Sequence, residues 1–359
     1  MDFAAAFHFV KEASENRISQ REQALACLDR TSAPVAVAWL PRNFATEPAN
    51  APLWDTLLSE RTNQRLRAAM EHSEPGWPRR AASVANEHFA LPVVTAEALG
   101  VGRWVLGNDE RRKQRGEGQG ASNDQRRVPK LETRNSKLET FPPNAQRLTP
   151  NAPTSVTRHL TPDTLYLSHT PLGQPLVRWR GEFEAWAQEQ GISSQTMHIS
   201  FTHDGDAHIA TAAYAPGLRG IGVDVVYMPR LRKSEKGLEY LHRFARHFMS
   251  CQEHEGFKDA AQDEALERVL CRVSAHFSLM EAASKALGTG LKIGAGMGRA
   301  ESLPKQSIGV KLLQPDVQFL LTPDAEARCK HLRGSFLEGH WSFDEEYLVS
   351  IVLLWERES

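Results

Sequence analysis

The sequence predicts an α+β protein built as two units, and three observations carry that prediction. A chain of 359 residues is long enough that two cores are favoured over one. An early run, Ala33 to Leu40 (APVAVAWL), has the composition of a buried strand. From Met197 to Trp355, strand runs give way to helical periodicity and then return, the grouping expected of an α+β unit rather than a parallel α/β sheet.

In chain order, the opening MDFAAAFHFVKEASENR has a short apolar patch followed by Lys11, Glu12 and Glu15, and reads as an ordinary helix rather than a targeting segment. The segments Leu53 to Met70 and Arg80 to Leu91 read as helices that complete a first α/β unit over residues 1–107. Between 108 and 153 the composition changes to NDERRKQRGEGQGASNDQRR, a repeated KLET and FPPNAQRLTPNAP. So few apolar residues cannot offset the entropy of ordering, and a disordered insertion is expected there. Its clusters Arg111, Arg112, Lys113 and Arg126, Arg127 are interspersed with acids and lack an aromatic platform, so a solvated loop is favoured over a nucleic-acid arm.

The second unit is expected over 154–359. Strands are expected at Met197 to Phe201, His208 to Tyr214 and Gly220 to Val226, broken by His203-Asp204-Gly205-Asp206 and Ala215-Pro216-Gly217. Helices follow at Leu238 to Phe248 and Asp263 to Leu287, the latter with Leu266, Val269, Leu270, Val273 and Phe277 at helical spacing. Strands return at Ser307 to Leu313, Val317 to Leu321, around Trp341 and at Tyr347 to Trp355.

Composition narrows the function. The net charge of −1 supplies no field to recruit nucleic acid or an anionic membrane. No apolar run approaches the length of a membrane span, and a cytoplasmic location is expected. Cys27, Cys251, Cys271 and Cys329 form no CxxC pair, so reduced and mostly buried thiols are expected rather than a zinc or disulfide framework.

Two motifs carry chemistry. Asp224 lies in GIGVDVV, among small and β-branched neighbours, so its carboxylate is expected to be buried. A buried carboxylate needs a compensating cation or donors, which suggests a metal ligand; a polar residue capping a strand end is the alternative. In FSLMEAASKALGTG, Glu281 and Lys285 stand four apart and share one helix face. An isolated pair of this kind is commonly a surface salt bridge, but here the flanking Ala282, Ala283, Ser284 and Ala286 are small, as where a helix packs closely or admits a ligand.

Together these segments resemble the 4'-phosphopantetheinyl transferase superfamily, whose signature is a G-[IV]-D strand followed by [FW]-S-x-K-E-[AS]-x-x-K on a helix. Here they read Gly222-Val223-Asp224 and Phe277 to Lys285, while Lys285 to Leu291 (KALGTGL) is similar to the holo-acyl-carrier-protein synthase branch. Thr202 and His203 match the family's [ST]-H segment before the Asp strand. The likeness covers roughly Met197 to Trp355. It implies a fold of two pseudo-twofold-related α/β units with antiparallel sheets, in the larger surfactin-type arrangement.

The resemblance also implies a function: transfer of 4'-phosphopantetheine from coenzyme A to a serine of an acyl or peptidyl carrier protein, releasing adenosine 3',5'-bisphosphate. Asp224 and Glu281 would hold Mg2+, and Glu281 would take the serine proton. Lys285 would neutralise the pyrophosphate, and His203 would touch the 3'-phosphate, with a turn histidine as the alternative. Arg230, six residues after Asp224, would face the carrier's acidic helix; an inconsequential loop residue is the alternative. Fatty acid, polyketide and nonribosomal peptide carriers share the modified-serine context, so the pathway stays open.

Two positions depart from the pattern. Met280 stands where the family usually has a lysine, which would remove a charge beside the phosphates, and Val226 stands where some members carry a third acid. The first motivates a rival reading, a non-catalytic carrier- or coenzyme A-binding protein that Met280→Lys would reactivate. Arg79 and Arg80 are candidates to meet nucleotide phosphates. Gly294, Gly296 and Gly298 follow a helix rather than a strand and read as a flexible connection. His203 and His208, with Asp204 and Asp206, lack the spacing of a transition-metal site.

Overall fold

The computed structural model of the protein describes residues 3–71, 77–99, 163–232, 237–261, 265–292, 303–304, 306–313 and 316–356. The insertion expected over 108–153, the glycines 294, 296 and 298, and the side chains of Arg79 and Arg80 lie outside the described residues.

Helix α1 (Phe3–Gln20) precedes strand β1 (Val35–Pro41), then α2 (Glu60–Glu71) and the long α3 (Trp77–Ala98). A hairpin of β2 (Leu165–His169) and β3 (Pro175–Trp179) leads through α4 (Gly181–Glu189) to β4 (Met197–Asp204) and β5 (Ala207–Tyr214). Strand β6 (Leu218–Tyr227) follows, then α5 (Gly237–Arg246), α6 (Cys251–Ala261) and the long α7 (Leu266–Ala286). A second hairpin, β7 (Ile308–Leu313) and β8 (Asp316–Leu321), leads through α8 (Pro323–His331) to β9 (Phe336–Phe343) and β10 (Tyr347–Trp355).

The same order therefore occurs twice: a strand, a long helix, a hairpin, a short helix and two closing strands. Both sheets also have the same layout, antiparallel β1-β5-β4 and antiparallel β6-β10-β9. This is the repeated α+β architecture expected for two pseudo-twofold-related units.

The first sheet corrects the expected division at residues 153 and 154. Val35 pairs with Ala213 and Pro41 with Ala207, so β4 and β5 share a sheet with β1 across the intervening stretch. Backbone hydrogen bonding is not local in sequence, and we place the boundary between the units at the β5–β6 connection instead.

Alternation along the strands sets the layers. Val37, Trp39, Ile209, Ile221, Val223 and Ile351 meet in a core between the two sheets. The opposite face of the first sheet packs on α1 and α3, and that of the second on α7. On β6 the even positions, including Gly220, Gly222 and Asp224, thus point toward α7. Cys27 and Cys329 are buried, but Cys251 is exposed, because it stands at the solvent-facing start of α6. Among the described residues no helix is long and apolar enough to cross a membrane.

Candidate active site

Two glycines let β6 and α7 come unusually close. A β-carbon on Gly222 would lie 1.8 Å from the Ala282 carbonyl oxygen, and one on Gly220 2.1 Å from that of Ala286. The small residues of α7 noted in the sequence complete this contact. It brings the helix residues Glu281 and Lys285 over the strand residue Asp224.

Asp224 is 8 % exposed. Its Oδ1 accepts hydrogen bonds from Lys285 Nζ at 2.9 Å and from Thr202 Oγ1 at 3.1 Å. Lys285 Nζ also donates to the Val223 carbonyl at 2.9 Å. Both units contribute, because Thr202 stands on β4, and Ser200 on the same strand accepts from the Val223 N–H at 3.1 Å. Opposite Asp224 in the register is Ser350, whose hydroxyl shares a 2.6 Å buried hydrogen bond with Ser278.

Lys285 thus pairs with Asp224, and the simple helix-surface pair between Glu281 and Lys285 is not found. Glu281 feels both neighbours. Burial and the negative charge of Asp224 push its carboxyl up to about 7, against the opposing pull of Lys285. A carboxyl titrating near neutrality beside a paired carboxylate is suited to taking up a proton at working pH.

His203 stands at the end of β4, exposed and 6.2 Å from the near-parallel ring of His208, its cross-strand partner. Desolvation, with the positive charges of Arg42 and Lys285, holds its pKa below the usual histidine value. His208 is fully buried without a hydrogen-bond partner for either ring nitrogen, and burial pushes it down to about 3. It is a neutral core histidine. Arg230 Nη1 donates to Asp204 Oδ1 at 2.8 Å, while Asp204 Oδ2 accepts from the Tyr227 N–H at 2.8 Å. Arg230 is therefore held at the rim beside His203, with 57 % of its side chain open to solvent.

Two clefts lie along α3, and Lys285 borders the second of them. One, of about 510 Å³, is bordered by Arg42, Asn43, Gly205 and Tyr227. The other, of about 260 Å³, is bordered by Lys285, Glu87, Gln174, Phe201 and Thr289. Ala82 lines the first and Glu87 the second, so α3 runs along both. Arg42 and Glu87 escaped the sequence reading. Neither belongs to a motif, and only the pairing of β1 with β5 and the packing of α3 on that sheet bring them to the groove.

The oxygen donors present fit a hard divalent cation. Asp224 and Glu281 are close enough for their charges to interact, and Asp224 Oδ2 takes part in neither the Lys285 nor the Thr202 bond. Magnesium is commonly held by one or two carboxylates plus substrate phosphates and water. Val226 is 2 % exposed in the core, and among the described residues no cluster of three or more potential ligands forms, so a third protein acid is absent from this arrangement.

The expectation for Met280 is corrected. Its side chain has no exposed surface and packs in the apolar cluster beneath α7 with Leu279 and Ala283. It points into the core rather than at the groove, so its identity does not set the charge there, and the motive for a non-catalytic protein lapses. Met280→Lys is expected to lower stability by about 2–4 kcal/mol, because an ammonium must be buried or the helix displaced. Denaturant titration and a transfer assay would check this: a more active, equally stable variant contradicts the placement.

Residues 220–352 match the model of the 4'-phosphopantetheinyl transferase superfamily. No curated protein matches the sequence. Among solved structures, the holo-[acyl-carrier-protein] synthase of Neisseria meningitidis is 21% identical, over 38% of this chain and 98% of that one, with a TM-score of 0.30. That of Bacillus anthracis in complex with CoA (3',5'-ADP) is 19% identical, over 39% and 98%, with a TM-score of 0.29. That of Helicobacter pylori in complex with coenzyme A is 20% identical, over 37% and 98%, with a TM-score of 0.27. With TM-scores this low, the three likenesses do not bear on function.

Proposed function

We propose, from the superfamily match of residues 220–352, that the protein transfers the 4'-phosphopantetheine group of coenzyme A to a serine of a carrier protein. The single observation that supports this reading best is the convergence of Asp224, Lys285 and Glu281, with Lys285 at the border of a cleft lined largely by neutral groups.

In this reading the adenosine bisphosphate part of the donor lies toward Arg42 and His203, and the pyrophosphate lies at Lys285. The carrier serine oxygen forms a bond to the β-phosphorus while the phosphoanhydride bond breaks. Adenosine 3',5'-bisphosphate leaves with the bonding pair, and the serine proton passes to Glu281. The carboxyl's affinity for a proton near neutrality suits it to that role. Lys285 offsets the charge that builds on the departing phosphate and, through its bond to Asp224, keeps that carboxylate oriented. Asp224 and Glu281 would hold Mg2+, which when bound supplies the charge neutralisation that lets an oxygen nucleophile approach a pyrophosphate.

Arg230, fixed by Asp204 yet open to solvent, would meet an acidic helix of an acyl or peptidyl carrier protein. A rim pair of this kind sets encounter rate and salt dependence more than affinity. A cytoplasmic site of action accords with this partner.

The test is mass spectrometry of apo carriers from fatty acid, polyketide and nonribosomal peptide systems, incubated with coenzyme A, Mg2+ and the protein. A carrier is expected to gain the phosphopantetheine mass. No gain in any of the three classes would remove the reading.

A further inference from the structure

Strands β4 and β6 lie in separate sheets, yet they run side by side where the two units meet. What joins them is one face of β4. His198, Ser200, Thr202 and Asp204 are alternate positions, so they project the same way. His198 Nε2 donates to the Leu218 carbonyl at 3.1 Å, and Ser200 Oγ accepts from the Val223 N–H at 3.1 Å. Thr202 Oγ1 donates to Asp224 Oδ1 at 3.1 Å, and Asp204 Oδ2 accepts from the Tyr227 N–H at 2.8 Å. Side chains thus stand where a backbone ladder would otherwise pair the two strands.

The two middle bonds bear on the site. Ser200 and Thr202 are 3 % and 5 % exposed, so water scarcely competes for these bonds. The Lys285 amine and the Thr202 hydroxyl both donate to Asp224 Oδ1, one from α7 and the other from β4. The last torsion of an aspartate has a broad minimum, and a single donor leaves the carboxylate free to pivot. Two donors from different elements on one oxygen set its plane and leave Oδ2 for other partners. The peptide before Asp224 is held in the same way: the Val223 N–H donates to Ser200, and the Val223 carbonyl accepts from Lys285.

We propose that Ser200 and Thr202 are positioning residues for the transfer: through this face of β4, the first unit sets the orientation of the Asp224 carboxylate that the second unit carries. This assignment rests on the transferase reading, and both residues lie outside the matched segment 220–352.

The test uses the full chain with coenzyme A, Mg2+ and a carrier protein. Thr202→Val keeps the shape of the side chain and removes its hydroxyl. Its kcat is expected to fall about tenfold, the scale of a hydrogen bond to a charged group, while the KM and the calorimetric dissociation constant for coenzyme A stay within about twofold. Thr202→Ser restores the hydroxyl and should return kcat to within about threefold of wild type. Ser200→Ala leaves the Val223 N–H without its acceptor and should give the same split, with a fall of about fivefold in kcat; it carries the test if Thr202→Val does not fold. In protein free of metal and substrates, the Asp224 carboxyl carbon resonance is expected to move in Thr202→Val and to return in Thr202→Ser. Lost affinity for coenzyme A at unchanged kcat, a valine variant as fast as wild type, or a serine variant as slow as the valine one overturns the positioning role. So does a resonance that stays in place. A wild-type protein that modifies no carrier overturns the transferase reading, and the resonance then still decides whether Thr202 orients Asp224.

Discussion

Asp224→Ala is expected to reduce carrier modification by a factor of about 10³ or more, the scale found when a group stabilising a reaction's developing charge is removed. The substitution deletes the carboxylate that Lys285 and Thr202 orient, and leaves the Lys285 amine with only the Val223 carbonyl. Some stability is lost with it, about 1–3 kcal/mol, because a mostly enclosed ammonium loses its anionic partner. Activity and folding are therefore confounded in the alanine variant. Asp224→Asn separates them: its carbonyl oxygen still accepts from Lys285 and Thr202, so the melting temperature should stay close to that of wild type while transfer is still lost. The negative charge of Asp224 is also one of the two causes that raise Glu281, after burial. In Asp224→Asn the Glu281 carboxyl should therefore titrate lower, a shift readable by NMR without any substrate. An asparagine variant that transfers at the wild-type rate would end the case for a charged Asp224 in the chemistry.

What the sequence disclosed depends on how local each signal is. Strand β6 and helix α7 were legible because their residues repeat at periods of two and about 3.6, and because GVD and SLMEAASK have fixed order. The hairpin β2–β3 and the helices α4, α6 and α8 were not. They are short, and α6 (CQEHEGFKDAA) has few strongly apolar positions from which to read a face. The boundary between units was misplaced for a different reason. A shift in composition marks where a chain loses its core-forming residues, but β1 finds β5 by backbone pairing across more than 160 positions, and no composition window registers that. The same long-range pairing hid Arg42 and Glu87. Met280 shows the reverse error: its motif position was read correctly, yet its direction was not, because one residue along a helix turns the side chain by about 100°, away from Glu281's face and into the core.

Among the described glycines, Gly222→Ala is expected to have the largest effect on stability. The new carbon would fall 1.8 Å from the Ala282 carbonyl oxygen and 2.8 Å from the Ala286 backbone nitrogen. Both obstacles are backbone of α7, so no side-chain rotation relieves them. Either the helix moves outward or the strand withdraws from its partner β10, where Gly222 pairs with Val352. Overpacking of a well-filled core usually costs about 1–3 kcal/mol, and a backbone-to-backbone overlap belongs at or above the top of that range. A fall in melting temperature of about 5 °C or more is expected by calorimetry. Gly256→Ala is the control, since its added methyl meets nothing within 4 Å and lies inside α6, where alanine is the better helix former; it should be neutral or stabilising. The consequence for function comes from the same geometry. An outward step of α7 by even an ångström lengthens the 2.9 Å bond from Lys285 to Asp224 beyond hydrogen-bonding range and separates Glu281 from the carboxylate that tunes it. Transfer should then fall more steeply than the folded fraction does, even at temperatures where the variant is fully native. If Gly222→Ala melted with wild type, the close approach of β6 and α7 would be wrong, and with it the geometry that joins Asp224, Glu281 and Lys285.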